Sequence, residues 1–150
     1  MMIRPYKPED WPRLCHIHDV ARLDELRLSA GEAAFLSLEQ TAETEGLFDG
    51  ALDVAEADGI VEGFVAYTED ELTWLYVNPA RYGEDIGRGL LRHAIARAGS
   101  LLKTQVLEGN EPALGLYLSE GFCVVERREG RLEGNESFAA VGYLLERHAT

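Results

Sequence analysis

Residues 78–91, Asn-Pro-Ala-Arg-Tyr-Gly-Glu-Asp-Ile-Gly-Arg-Gly-Leu-Leu, join the end of an apolar strand to an amphipathic helix through a loop that carries glycine. A junction of this kind confines the chain to folds in which a strand feeds a helix that packs back on its own sheet. It also makes an anion site, because free N–H groups at a helix N-terminus converge on phosphate oxygens and glycine leaves no Cβ in the way. Gly83 and Gly87 stand where such an approach occurs. A glycine turn entering a helix also arises for steric reasons alone. The loop lacks the Gly-Lys-Ser/Thr of a P-loop and the G-x-G-x-x-G of a first βα unit, which argues against nucleoside triphosphates and dinucleotides.

The elements around the junction follow from periodicity. Residues 2–6 read as a strand, and Trp11, Leu14, Ile17 and Ala21 recur at helical spacing after Pro8, which suits a first helical turn. Residues 32–44 read as a second helix contributing Phe35, Leu36 and Leu38. Asp58-Gly59 tolerates the positive φ angles of a tight hairpin, so residues 51–56 and 60–68 are expected to pair. A third strand over 71–77 ends at Asn78-Pro79. Ile86, Leu90, Leu91, Ala94, Ile95 and Ala98 mark one helix face stopped by Gly99. A strand over 101–107, a short helix over 111–120 and strands over 122–128 and 137–145 complete the series. Hairpin-paired strands followed by strands separated by helices predict an α/β fold with a mixed, twisted sheet of about six to seven strands and about four helices.

At 150 residues with 46% hydrophobic composition, the chain suits a single domain over 1–150 with a sizeable core. Its 27 acidic against 14 basic residues give a net charge of −13, which disfavours nucleic acid and anionic membranes as partners. The same field would concentrate cationic ligands, though acidity also serves solubility alone. Cys15 and Cys123 lack metal or redox spacing and read as reduced, buried thiols. With no apolar leader or membrane span in the sequence, the expected compartment is cytoplasmic. His16 and His18 are two apart on a helix and face different ways, so no metal is expected.

Two segments together resemble the GNAT (GCN5-related N-acetyltransferase) superfamily. Its acyl-CoA loop, Gln/Arg-x-x-Gly-x-Gly/Ala after a strand ending Val-x-Pro, is similar to residues 82–87, with Tyr82 in place of Gln/Arg, Asp85 in place of the first Gly, and Gly87 matching. Asn110, Ala113, Tyr117, Gly121 and Phe122 fall at the spacing of the second signature. The resemblance implies acetyl-CoA as cosubstrate, held by the backbone of Tyr76 and Val77, by Tyr82, Gly83, Glu84, Asp85, Ile86, Gly87 and Arg88, and by Asn110 and Ala113. Arg81 and Arg88 flank the loop and would help neutralise pyrophosphate. Asp85 is expected to repel it, or to serve as a side-chain N-cap.

The resemblance further implies direct attack by a primary amine on the thioester. Tyr117 would be the general acid for the leaving thiolate, since a phenol stays protonated at neutral pH while a thiol titrates near 8.5. Glu71, six residues before Val77, occupies the position of the base in some members, and strict alternation places it on one face with Thr73, Leu75 and Val77. An exposed acidic turn is the other reading of Glu69-Asp70-Glu71. Backbone N–H groups near Tyr76 and Val77 would polarise the thioester carbonyl. Arg22, Asp24 and Glu25 fall in a region that borders the acceptor pocket in such folds, with surface ion pairs as their expected role. A homodimer is possible by family habit. The alternative is a non-catalytic acyl-CoA-binding or protein-interaction module, to which Tyr82 and Asp85 lend support.

Overall fold

The computed structural model describes residues 1–149. Among them the chain runs β1 (Met2–Pro5), α1 (Trp11–Arg27), α2 (Leu38–Thr41), β2 (Ala51–Ala57), β3 (Ile60–Tyr67), β4 (Leu72–Val77), α3 (Ile86–Arg97), β5 (Leu101–Leu107), α4 (Glu111–Ser119), β6 (Cys123–Leu132) and β7 (Asn135–His148). β1 to β4 form one antiparallel sheet in sequence order, and β5, β7 and β6 form a second in the order β5-β7-β6. The expected α/β class, strand number and helix number are all present.

The two sheets meet where β4 and β5 run parallel, and they touch only at one end. A single bridge pairs Glu71 with Lys103. Beside it the Lys103 N–H donates to the Asp70 carbonyl at 2.8 Å, and the Thr104 hydroxyl donates to the Leu72 carbonyl at 3.0 Å. Beyond these bonds the strands part, leaving a wedge open toward Val77 and Leu107.

Each face of the first sheet carries its own apolar layer. Leu14 and Ile17 of α1 and Leu38 of α2 pack on Val54, Phe64 and Trp74. Leu90, Leu91 and Ala94 of α3 cover Val65, Leu72, Leu102, Val106 and Leu145 on the other side, which ties both sheets together beneath one helix. Full burial of one such leucine contributes about 1.5–3 kcal/mol, so α3 is held by its apolar face far more than by its own propensity. The β2–β3 turn has Asp58 at φ 55° and Gly59 at φ 78°, both positive as an Asp-Gly hairpin requires.

Three expectations are corrected. Residues 32–44 do not form one helix: a 3₁₀ turn at Glu32–Ala34 gives way to extended Phe35, and α2 starts afresh at Ser37. The Ser37 hydroxyl accepts from the Gln40 N–H at 3.3 Å while Gln40 Oε1 accepts from the Ser37 N–H at 2.8 Å, a capping box that fixes a new start. β6 and β7 are longer than expected and absorb most of the charged connection, because β6 is an edge strand where charge keeps an open ladder soluble. Cys123 opens that edge and is exposed, and Cys15 is only partly buried.

Candidate functional site

The wedge is the mouth of a cleft of about 420 Å³, a volume within the usual ~300–1,000 Å³ of small-molecule sites. Its walls come from five places in the chain: the C-terminal part of α1, the end of β4, the β4–α3 loop with the first turn of α3, the middle of β5, and α4. Tyr76, Val77, Tyr82, Gly83, Asp85, Ile86, Gly87, Arg88, Asn110, Ala113 and Tyr117 all line it.

At one end, the loop turns at Gly83 with φ 85° and at Asp85 with φ 62°. The second value is a left-handed conformation that glycine adopts freely and Asp tolerates better than most residues. Asp85 occupies the N-cap position of α3, yet its side chain makes no capping bond, so the expected side-chain cap is absent. Within the helix the Gly89 N–H is the first to find a partner, bonding to the Asp85 carbonyl at 3.0 Å. The N–H groups of Ile86, Gly87 and Arg88 therefore remain as the orphan donors of a helix start. A Cβ on Gly87 would meet Val77 at 3.5 Å and Leu116 at 3.8 Å, so the bare backbone leaves the first turn open to the cleft.

The flanking arginines are largely engaged. Arg81 binds Glu84 at 2.9 Å and Glu62 at 3.3 Å, and Arg88 donates to the Ser119 hydroxyl at 2.9 Å with Glu120 at 3.5 Å. Glu84 is thereby turned to Arg81 and does not line the cleft. Backbone amides, more than these side chains, are the anion-facing donors of the loop.

Along β4 the Asn78 N–H donates to the Glu62 carbonyl at 2.8 Å. Because amide directions alternate along a strand, the Tyr76 N–H also points toward β3, whereas those of Leu75 and Val77 point toward the parted β5. The cleft-facing amides are thus at Leu75 and Val77, one residue displaced from the expected Tyr76 and Val77 pair. The Tyr76 side chain is partly buried on the α1 face of the sheet, where burial raises the pKa of its phenol and the charge of Glu25 acts in the same direction.

Glu71 lies elsewhere. It sits exposed at the closed end of the wedge, about 20 Å of strand from Val77 at the usual ~3.3 Å per residue. Strict alternation also fails: Ala66 faces Trp74 and Tyr67 faces Leu72, which makes Thr73 the extra residue of a bulge. Leu72 therefore packs under α3 and Trp74 under α1, although they are two residues apart.

On the far wall, Asn110 caps α4 by accepting from the Ala113 N–H at 3.4 Å. Tyr117 of α4 is 6% exposed and packs edge-on to Phe122 at 5.3 Å between ring centres. Burial pushes its phenol well above the usual tyrosine value, against the opposing pull of the Thr104 side chain and with a further push from Glu25. The group stays protonated across the physiological range.

A family model described as an acetyltransferase (GNAT) domain matches residues 48–124, just over half of the chain and the span from β2 to the start of β6. The chain belongs to the GNAT acetyltransferases. Among curated relatives of this GNAT chain, the peptidyl-lysine N-acetyltransferase YjaB of Escherichia coli K12 is 36% identical over 102 residues, covering 63% of this chain and 68% of the relative. The crystal structure of a ribosomal-protein-alanine N-acetyltransferase from Brucella melitensis superposes with a TM-score of 0.73 at 23% identity, over 99% of this chain and 100% of that one. The structure of yncA from Salmonella typhimurium, described as a putative acetyltransferase with its cofactor acetyl-CoA, gives 0.72 at 18% identity over 98% and 92%. These two likenesses establish the fold.

One cleft residue of this GNAT chain has the sequence signature of a surface ion pair. Glu25 reaches into the cleft from α1, paired with Arg22, accepting from the Tyr76 hydroxyl at 3.2 Å and from Asn110 Nδ2 at 3.3 Å. Close by, Gly109 has φ 102°, and any Cβ on it would collide with the Leu28 carbonyl just beyond α1. Tyr82, 54% exposed, stands at the cleft mouth, its phenol pushed up to about 12 by burial of its inner edge and by Asp24 and Glu25. Among the described residues no helix is long and apolar enough to cross a membrane, and no group of three or more potential metal ligands occurs.

Proposed function

We propose that residues 1–150 act as one domain that transfers the acetyl group of acetyl-CoA to the primary amine of a lysine side chain. The observation that carries this reading is the parting of β4 from β5 between an open helix N-terminus on one side and a buried, protonated phenol on the other. Free N–H groups of Ile86, Gly87 and Arg88 suit the pyrophosphate. The cleft-facing amides of Leu75 and Val77 suit the pantetheine arm and the thioester oxygen, where donors aimed at developing charge are most effective. Tyr117 suits the proton that the departing sulfur must receive. The acceptor class is taken from the 36% identical relative, a peptidyl-lysine N-acetyltransferase, and the Asp24 and Glu25 carboxylates of the α1 wall agree with a cationic acceptor.

The overall change is an ammonium and a thioester giving an amide, free CoA thiol and one proton. Removing a proton from a lysine-type amine near pH 7.4 costs roughly 4 kcal/mol, given its reference pKa of about 10.4. Glu71 is exposed at the closed end of the wedge and is not among the cleft-lining residues, so this reading assigns it no direct contact with the amine.

Isothermal calorimetry with acetyl-CoA, followed by thiol release in the presence of an N-blocked lysine amide, tests the reading. Saturable uptake and amine-dependent thiol release are expected. Uptake without release would favour the binding-module alternative, and the absence of both would end the assignment.

A further inference from the structure

Resting on the reading above, we infer that Glu25 is the residue that recognises the charge of the acceptor, by receiving its ammonium group at the inner end of the cleft. The carboxylate is the point where three walls meet, since it ties α1 to β4 through Tyr76 and to α4 through Asn110. Its two oxygens are unequally used. Oε1 takes both Arg22 and the Tyr76 hydroxyl, whereas Oε2 has only the 3.3 Å contact from Asn110. A carboxylate oxygen accepts two hydrogen bonds, which leaves a place on Oε2 for one further donor from within the cleft.

Position and charge agree. Glu25 acts electrostatically on the phenol of Tyr117, so its charge is felt where the thiolate would leave. Its neighbour Asp24, also paired with an arginine, is the more exposed of the two carboxylates, and Arg81 is held by Glu62 and Glu84. A primary ammonium has three donors in a compact head, which match one free carboxylate position and cleft water. Because the site is partly enclosed, the attraction exceeds that of a fully exposed pair.

The test compares two acceptors of one shape. The first is Nα-acetyl-lysine methylamide, cationic at pH 7.5; the second is its aminooxy isostere, with oxygen in place of the ε-carbon, nucleophilic but uncharged at that pH. For Glu25→Gln we expect the KM of the lysine amide to rise at least tenfold and that of the isostere to change less than threefold, with acetyl-CoA affinity by calorimetry unaltered. A purely structural role would move both KM values together or weaken acetyl-CoA binding, and either result overturns the inference, as does an unchanged KM for the lysine amide. KM is independent of the fraction of folded enzyme, so reduced yield of the variant does not mask the outcome. If the unaltered protein neither binds acetyl-CoA nor releases thiol with either amine, the parent reading fails and the inference falls with it.

Discussion

Asp85 offers the sharpest test of the proposed diphosphate site, because charge and backbone shape are separable there. The residue sits at φ 62° at the N-cap of α3 with no capping bond, so its carboxylate contributes nothing visible to the helix start. A phosphate held by the Ile86 and Gly87 amides would share the cleft mouth with that carboxylate, since all three residues line it. Two unit charges 4 Å apart repel by about 1 kcal/mol in water and about 4 at an effective dielectric near 20. Asp85 is exposed, which places the expected penalty near the aqueous figure, about 1 kcal/mol or roughly fivefold in Kd. Asp85→Asn removes the charge and keeps a side chain that tolerates the left-handed backbone. Asp85→Gly removes the charge and suits the backbone, but enlarges the unfolded ensemble, so its effect on stability should be close to neutral. Calorimetric titration with CoA should therefore find both variants tighter than the parent by similar factors. The gain should shrink as salt rises from 0.05 to 1 M, where the screening length falls to about 3 Å. Unchanged or weaker CoA binding in Asp85→Asn would refute the electrostatic argument.

Tyr117→Phe keeps the ring packed on Phe122 and removes only the proton donor, so kcat for acetyl transfer should fall at least tenfold, about 1.4 kcal/mol or more, with CoA affinity within twofold; undiminished turnover would remove the assigned role. Gly109→Ala should cost about 2 kcal/mol or more, read as a lower Tm, because its φ of 102° and the Leu28 carbonyl both exclude a Cβ, and a Tm equal to the parent's would contradict that packing. His18 is buried against Tyr76, with ring centres 4.9 Å apart, and burial lowers its pKa despite the opposing effect of its hydrogen bond to the Asp19 carboxylate. The unfolded chain then takes up the proton first, so stability from this group is intact above about pH 6.5 and declines as pH falls below it. His18→Asn should accordingly show a flatter Tm profile between pH 7 and 5 than the parent, and parallel profiles would contradict this.

Local chemistry made much of the fold readable. Asp58-Gly59 encodes its hairpin, the spacing of Ile86, Leu90, Leu91 and Ala94 encodes the face of α3, and Asn110 encodes the start of α4. The break within residues 32–44 was also written, as Ser37 and Gln40 three apart, but a longer apolar pattern outweighed it. The side-chain directions of β4 were harder to read, because a single extra residue at Thr73 resets alternation and nothing in Glu-Leu-Thr-Trp signals a bulge. The candidate site divides the same way. Its loop and α4 residues lie in two short segments with recognisable spacing. Glu25 meets Asn110 from 85 residues away and Tyr76 from 51, so only the folded arrangement brings that cluster together.

The seam between the two half-sheets has a mechanical corollary. Since Glu71 and Lys103 supply the lone backbone bridge across it, a molecule lodged in the gap would act as the missing rungs and brace one half against the other. Occupancy and rigidity would then rise together: at one hundred times its Kd, a ligand that binds only the folded chain contributes about 2.7 kcal/mol of stability.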